Sequence, residues 1–566
     1  MKIKAIIFDL DDTLYDCTGM LAEASRRRAA KTLVDLGIPC SEEEIYNILN
    51  EEFAKHGSSF YVFNEIAKKY GKSHDTVQKA LKAYNSSEVT NIKPFPDVIS
   101  TLKQLRRSGH KLFLVTLGVH QRQEKKIKLL GLSDMFDEII ISDQEVGLLL
   151  EECYEMLLTM HNLRAHEVAV VGDRTREELR IGNTMGMTTI RMLHGRFKLS
   201  PMNARLQNVD YKIKRIFQIP TIISLINKGM TPDVVKIVAI GGGTGLPIAL
   251  DGIKSYSNNI TGIVAVTDSG RSSGVLREQF GILPPGDARN CLVALSKSEE
   301  QEQDLNNLFQ YRFDKGSLDG MSLGNLLMTA LIDITGSFDQ AIKKASRILS
   351  IKGKVLPSTL TSTHICAELE DGTYVEEEYN VRAVGKAPIK TVYLKDKDVK
   401  VLPEAVNDIK NAEIIIIGPG SLYTSVITNL LVHDIKTAIK ESTAVKIYIC
   451  NIVSQPGQSD NYSVSDHIRA IEKYVGEGVI DYVIVNNNTP GKEILKKYEE
   501  KGAGVIIMDD DSYNLKPIIK KTDLVEDLPD HRILWEKEDM LRHDPEKLAD
   551  AVYRIFAGIP LYREED

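Results

Sequence analysis

Two carboxylates spaced i and i+2, Asp9 and Asp11, follow directly on the apolar run AIIF, with Asp12 and Thr13 behind them. At the C-terminal end of a strand, residues two apart share a face, so both can point into one site as the chain leaves the sheet. One can then attack a phosphorus atom while the other shuttles a proton, a division of labour that covalent phosphoryl transfer requires. A second apolar run, LFLVT, ends in Thr116, whose hydroxyl could hold a phosphoryl oxygen. A third, VAVV, ends in Gly172 and Asp173, with Glu178 five residues on. Acidic groups collected at strand ends suit Mg²⁺, a hard cation that prefers carboxylate and water oxygens. Any one of these aspartates alone reads as a helix cap or turn residue. Three strand ends in order, each bearing the expected residue type, single them out.

A different chemistry starts where VVKIVAI runs into Gly241, Gly242, Gly243, Thr244 and Gly245, followed by an amphipathic stretch. Glycines between a strand and a helix let the backbone approach a phosphate, and the helix N-terminus presents N–H groups to it. The turn is neither a Walker loop nor a spaced G-x-G-x-x-G, and alone it is equally compatible with a tight turn that holds nothing. Four further patches supply candidate ligand contacts. After GIVAVT comes Asp268-Ser269-Gly270-Arg271-Ser272-Ser273, and Pro284-Pro285-Gly286-Asp287-Ala288-Arg289-Asn290 opens a helix. Ser322-Leu323-Gly324-Asn325 opens another, and EIIIIG runs into Gly418-Pro419-Gly420-Ser421. This second glycine turn also feeds a helix, so the segment could hold two anionic groups at two helix N-termini.

The elements that must position these residues are short β-branched runs alternating with amphipathic segments, the pattern of βαβ units and parallel sheets. The fold class expected is α/β, with two Rossmann-like parallel-sheet domains. In the first third the strands are expected at residues 4–8, 111–115, 138–141, 168–171 and 188–191. The polar, helix-patterned stretch from about Asp16 to Asn91 is too long for a simple crossover and reads as a small helical cap insertion. Asn227, Lys228, Gly229 and Pro232 form a linker, which divides the chain into domains 1–229 and 230–566. There is no internal repeat and no low-complexity tract.

Composition narrows the classes of function. The 566 residues are 43% hydrophobic and 27% charged, an ordinary globular balance with core enough for several domains. Lys plus Arg number 71 against 79 Asp plus Glu, a net charge of −8. That argues against nucleic acid held through a basic face, but not against a small phosphorylated ligand. Six cysteines without a CxxC pair read as reduced thiols. Neither a signal-peptide organisation nor an apolar stretch of the roughly 20 residues a membrane span needs is present, so a cytoplasmic protein with no membrane partner is expected.

Residues 1–229 resemble the haloacid dehalogenase superfamily of phosphatases, through Asp9-x-Asp11-x-Thr13, Thr116 and Gly172-Asp173-x-x-x-x-Glu178. The resemblance implies Asp9 as nucleophile, Asp11 as general acid/base and Thr116 as a phosphate contact. It implies Mg²⁺ held by Asp9, Asp173 and the Asp11 backbone carbonyl, and a small phosphate ester as substrate. One departure stands out. The family places a lysine shortly after a Val-Gly pair, whereas here the stretch reads Glu145-Val146-Gly147-Leu148-Leu149-Leu150 and Leu150 takes that place. Lys125, Lys126 and Lys128 lie upstream on a helix, where they could substitute for that lysine, but a solvated helix face is the reading preferred. Loss of a fixed cation beside a dianionic substrate weakens transition-state stabilisation, so a working phosphatase and a degenerate one both stay open.

Residues 234–556 resemble the family uniting the bacterial gluconeogenesis factor with 2-phospho-L-lactate transferase. GGGTGLP, SSG-x-LRE, GILPPGD-x-RN, SLGNLL, VLPSTL, IGPGSLYTSV, QPG and SDH appear in order. The resemblance implies a nucleotide or nucleotide-sugar ligand, with Gly242, Gly243, Thr244 and Gly245 around its phosphates. Asn325 and the Gly418, Gly420 and Ser421 turn would complete the pocket; Asp268, Arg271, Asp287 and Asn290 are further candidate contacts. One family branch transfers a phospholactyl group with Mg²⁺; the other comprises UDP-sugar-binding regulators of carbon flux and cell-wall growth. Here Asp268-Ser269-Gly270-Arg271 replaces the usual pair of aspartates and pair of glycines. A potential metal ligand is lost and a fork-shaped cation gained, which favours binding over metal-assisted transfer, unless Arg271 is simply a surface salt-bridge partner. A homo-oligomer is expected. His467 in SDH reads as an acid/base, a nucleotide contact or a structural histidine; Asn486, Asn487 and Asn488 could read a base or cap a turn, and the cap is preferred.

Overall fold

The computed structural model describes residues 2–55, 59–85, 89, 91–143, 148–197, 208–296, 300–526 and 541–561. They fall into two units, Met1–Gly229 and Met230–Asp566.

The first unit is built on a six-stranded sheet. Its strands are β1 (Ala5–Phe8), β2 (Lys111–Leu117), β3 (Glu138–Ser142), β4 (Val168–Gly172), β5 (Thr188–Met192) and β6 (Tyr211–Ile213). They lie in the order β3-β2-β1-β4-β5-β6, and every pairing is parallel. Parallel strands covered by helices on both faces need continuous apolar runs rather than alternation. AIIF and VAVVG supply such runs and are buried throughout. The edge strand β6 escapes sequence reading, because three residues carry too little pattern.

Between β1 and β2 a π-helical turn, Thr18–Ala22, leads into helices Glu23–Asp35, Glu42–Lys55, Ser59–Lys69 and His74–Tyr84. They enclose an apolar cluster of their own that includes Leu33, Leu49, Phe53, Phe63 and Val77. Phe53 stacks on Tyr84 with ring centroids 5.1 Å apart. A separately cored helical insert is therefore present where the cap was expected.

The second unit carries a seven-stranded sheet of β7 (Ile237–Gly241), β8 (Ile260–Val264), β9 (Lys354–Pro357), β13 (Ile414–Ile417), β14 (Val445–Ile449), β15 (Tyr482–Asn486) and β16 (Ile518–Thr522). The order is β16-β15-β14-β13-β7-β8-β9, again all parallel. Between β9 and β13 lies a three-stranded antiparallel sheet, β10 (Ile365–Leu369), β11 (Tyr374–Glu376) and β12 (Ile389–Leu394), in the order β11-β10-β12. The buried side chains of β10 and β12 join one core with those of β7, β13 and β15.

Both large sheets reverse direction once. In the first, the chain steps from β1 outward to β2 and β3, then restarts at β4 on the other side of β1. In the second it steps from β7 to β8 and β9, then restarts at β13 beside β7. At such a switch point the following loops diverge and leave a crevice at the carboxyl ends of the strands, where open α/β sheets bind ligands. Asp9 and Asp173 follow the switch strands of the first sheet; the two glycine turns follow those of the second. Among the described residues no helix is long and apolar enough to cross a membrane.

Candidate functional site

In the first unit the Asp9 amide donates to the Val171 carbonyl at 2.9 Å, so β1 and β4 stay paired up to the point where Asp9 leaves the sheet. Oxygens of Asp9, Asp173 and Glu178 lie within 4.8 Å of one another. Both carboxylate oxygens of Asp173 are buried without a hydrogen-bond partner. Burial, and next the Glu178 charge, drive the Asp9 and Asp173 carboxyls well above the usual range. Burial likewise lifts Glu178 to about 7, although its carboxylate accepts the Arg174 amide at 2.6 Å. Crowded carboxylates with unfilled lone pairs suit a hard divalent cation, so these residues fit a metal.

Asp11 faces a different neighbourhood. Lys126 Nζ lies 2.9 Å and 2.8 Å from its two carboxylate oxygens, and the Tyr15 hydroxyl donates to it at 2.6 Å. Burial works to raise this carboxyl, but the Lys126 charge and these hydrogen bonds outweigh it and hold Asp11 below the usual range. Lys126 is thus not on a solvated face as expected; it is 3% exposed. Helix His120–Leu129 turns Gln123, Lys126 and Ile127 inward, the i, i+3, i+4 stripe of one helical face. Gln123 donates from Nε2 to the Thr116 hydroxyl at 2.8 Å, which sets that hydroxyl at the end of β2. Leu150 does line the site, with Asp9, Asp11, Thr116, Arg174 and Glu178. Glu145, Val146 and Gly147 lie outside the described residues. Arg174, which sequence reasoning passed over, brings its guanidinium to 4.0 Å from Asp173 and bonds Glu177 at 2.7 Å. Two cations from other elements therefore stand around the carboxylates where the usual lysine is missing.

In the second unit the two glycine turns pack backbone to backbone. Gly243 has a φ of 62°, and its amide donates to the Asp287 carboxylate at 2.8 Å. A side chain on Gly245 would collide with the Pro419 carbonyl, so the first turn of helix Gly245–Ile253 touches the opposing turn directly. Asn451 bonds both the amide and the carbonyl of Gly420, at 3.3 Å and 2.9 Å, and Gln455 donates to Ser421 Oγ at 3.0 Å. Gly241, Gly242 and Gly245 thus meet the backbone of Gly418, Pro419 and Gly420 at the switch point, with Gly243, Thr244 and Ser421 on the same two turns.

Asp268 and Asp287 are close enough to repel, and Glu378 joins them from helix Glu378–Val381 behind β11. Its carboxylate accepts the Ser269 amide at 3.3 Å, while Ser269 Oγ accepts the Tyr379 amide at 3.1 Å. A carboxylate from another part of the chain thus stands beside Asp268 although position 269 is serine. Burial first, and Asp268 next, raise Asp287 and Glu378 to about 7 each. Asn325 is 2% exposed, donates to Ser272 and Ser273 at 3.1 Å and 3.4 Å, and leaves its side-chain oxygen without a partner. Asn290 accepts from Arg289 at 2.6 Å. The Arg271 side chain lies outside the described residues. His467 is fully buried with Nδ1 2.9 Å from the Ser463 carbonyl, and burial lowers its pKa, which suits a neutral structural ring. Asn486 accepts the amides of Asn488 and Leu524, closing a turn.

Two crevices at sheet switch points characterise the chain, one lined by an acidic cluster and the other by paired glycine turns. The haloacid dehalogenase-like hydrolase model matches residues 6–192, and the 2-phospho-L-lactate transferase CofD model matches residues 237–523. The gluconeogenesis factor of Bacillus subtilis is 43% identical over 315 residues, 56% of this chain and 96% of that protein. That of Halalkalibacterium halodurans is 44% identical over 318 residues, 56% of this chain and 95% of that protein. A crystal structure of a UPF0052 family member from Bacillus halodurans superposes with a TM-score of 0.52 at 43% identity, covering 56% of this chain and 99% of that one. The chain belongs to the CofD and gluconeogenesis factor family, and carries a haloacid dehalogenase-like domain at its N-terminus.

Proposed function

We propose that the chain is a regulatory binding protein of the gluconeogenesis-factor type, acting in carbon metabolism or cell-wall growth. Its second unit takes a nucleoside diphosphate or nucleotide-sugar, and its first unit is a Mg²⁺-dependent phosphomonoesterase. The observation that carries the ligand reading is the meeting of two glycine turns at the β7/β13 switch point, where the Gly243 amide already holds an anionic oxygen, that of Asp287. A ligand phosphate would take that oxygen's place. A homo-oligomer and a cytoplasmic setting belong to the same proposal.

In the first unit Asp9 would attack the phosphorus of a small phosphate ester. The P–O bond to the alcohol breaks as the Asp9 O–P bond forms, the leaving oxygen takes up a proton from solvent, and water then hydrolyses the aspartyl phosphate. Asp11, kept ionised by Lys126, is poised to accept the proton of that water. Lys126 and Arg174 offset the phosphoryl charge. Mg²⁺ on Asp9 and Asp173 would screen nucleophile from substrate.

Calorimetric titration of the intact chain with UDP- and GDP-ligands, beside Gly243→Val, tests the binding reading. The positive φ of Gly243 disfavours a β-branched residue, and a Cβ there would crowd the Ser425 hydroxyl at 3.2 Å, so valine should distort the turn and binding should be lost. Unchanged affinity in the variant would remove the turn from the site. Phosphate release from nucleoside monophosphates should vanish in Asp9→Asn. One observation favours transfer in the second unit, namely Glu378 beside Asp268 and Asp287. Movement of a phospholactyl group to a deazaflavin acceptor would establish it.

A further inference from the structure

Arg289, on helix Gly286–Leu295, is 6% exposed. Its guanidinium donates to the Ser322 hydroxyl and, at 2.6 Å, to the Asn290 side-chain oxygen, while Nε has no partner. Both acceptors are neutral. A buried charge ordinarily has a counter-ion, because desolvation costs several kcal/mol that only an opposite charge or a full set of hydrogen bonds offsets. Arg312, which pairs with Ser322 through a β-bridge, is instead a second cation near enough to repel it; burial first and that repulsion next lower the Arg289 pKa to about 10, with Asp287 and Asp268 opposing the shift.

The surroundings add positive potential. Ser322 is the N-cap of helix Leu323–Thr335, so Arg289 is aimed at the positive end of a helix dipole. Gly324, in the first turn, packs against the Arg289 side chain. The cluster adjoins the glycine turn, for Asp287, two residues before Arg289, holds the Gly243 amide, and Ser273 lies between Gly286 and Asn325.

We infer that Arg289, with Arg312 and the N-terminus of helix Leu323–Thr335, is a second anion subsite that takes a phosphoryl group of the ligand seated at the Gly241–Gly245 turn. The inference rests on the reading that this unit binds a phosphorylated ligand. It makes that ligand one with two anionic groups: one replaces Asp287 at Gly243, and the other neutralises Arg289.

The test uses the intact chain, EDTA and inorganic pyrophosphate. In anion-free buffer Arg289→Met should melt at or above the parent temperature, because it removes an uncompensated buried charge. Pyrophosphate should raise the parent's melting temperature and bind Arg289→Met at least tenfold more weakly, with Arg289→Lys between them. Pyrophosphate bound in the first unit would shift parent and variant alike, so only the Arg289-dependent part counts. A variant that melts well below its parent in anion-free buffer, or that binds pyrophosphate equally well, overturns the subsite. Arg312→Ala, at an exposed position, is the independent check: weakened pyrophosphate binding supports the subsite, and unchanged binding overturns it. If UDP and GDP bind but are indifferent to Arg289, the subsite falls and the nucleotide reading stands. If neither binds while pyrophosphate does so through Arg289, the nucleotide reading falls and the subsite stands.

Discussion

The ammonium of Lys126 lies 2.9 Å and 2.8 Å from the two carboxylate oxygens of Asp11, across 115 residues of sequence. Lys126 comes from the helix after β2 rather than from the position held by Leu150. The cation thus reaches Asp11, while Arg174 approaches Asp173 in the neighbouring acidic cluster.

Lys126→Met should lower the stability of the first unit by about 3–5 kcal/mol at pH 7, because it strands a buried carboxylate. The folded pKa of Asp11 lies below its unfolded value of roughly 3.9. The pair's contribution is therefore complete above about pH 4 and fades as pH falls through the folded value. Urea melts at pH 7 and pH 3 should show a large gap between parent and variant that narrows in acid, with Lys126→Arg recovering part of it. A variant as stable as its parent at pH 7 would leave the pair with no net effect.

Asp173→Asn should raise the melting temperature in EDTA. Both oxygens of Asp173 are buried without partners, so removing the charge relieves repulsion from Asp9 and Glu178. With Mg²⁺ at about 100 times its dissociation constant the parent should gain about 2.7 kcal/mol, and the variant little. Equal Mg²⁺-induced shifts in the two proteins would move the metal elsewhere.

Affinity of the second unit for a diphosphate should fall as pH rises from 6 to 8. Asp287 and Glu378 titrate near 7 when folded, so above that value their negative charges face the ligand. The loss should reach roughly tenfold across this range, since one pKa unit corresponds to about 1.4 kcal/mol. The sign for stability is the same: the folded chain holds extra protons between about pH 4 and 7, so both groups destabilise it progressively as pH rises through that window. Calorimetry on Asp287→Asn should give a flatter pH profile, and an unaltered slope would assign the titration to other groups.

The α/β pattern, the strands β1 to β5 and the helical insert were legible because each is a local matter of apolar period and length. Asp9, Asp11, Thr116 and Asp173 could be picked out because they fall at strand ends, and the glycine turns because glycine is informative where backbone must approach backbone. The antiparallel sheet of β10, β11 and β12 was not anticipated, and neither was Glu378, carried on the short helix behind β11. Sequence counted Ser269 as a missing carboxylate; the fold returns one from 109 residues away.

The sequence alone determined which residues end up at the mouths of the two sheets, since strand, turn and helix signals act over a few neighbours. Only the tertiary structure decided the balance of charge in those mouths. Coulomb energy depends on distance through space and on burial, and for Lys126 with Asp11, Glu378 with Asp268 and Arg289 with Arg312 neither follows from separation along the chain.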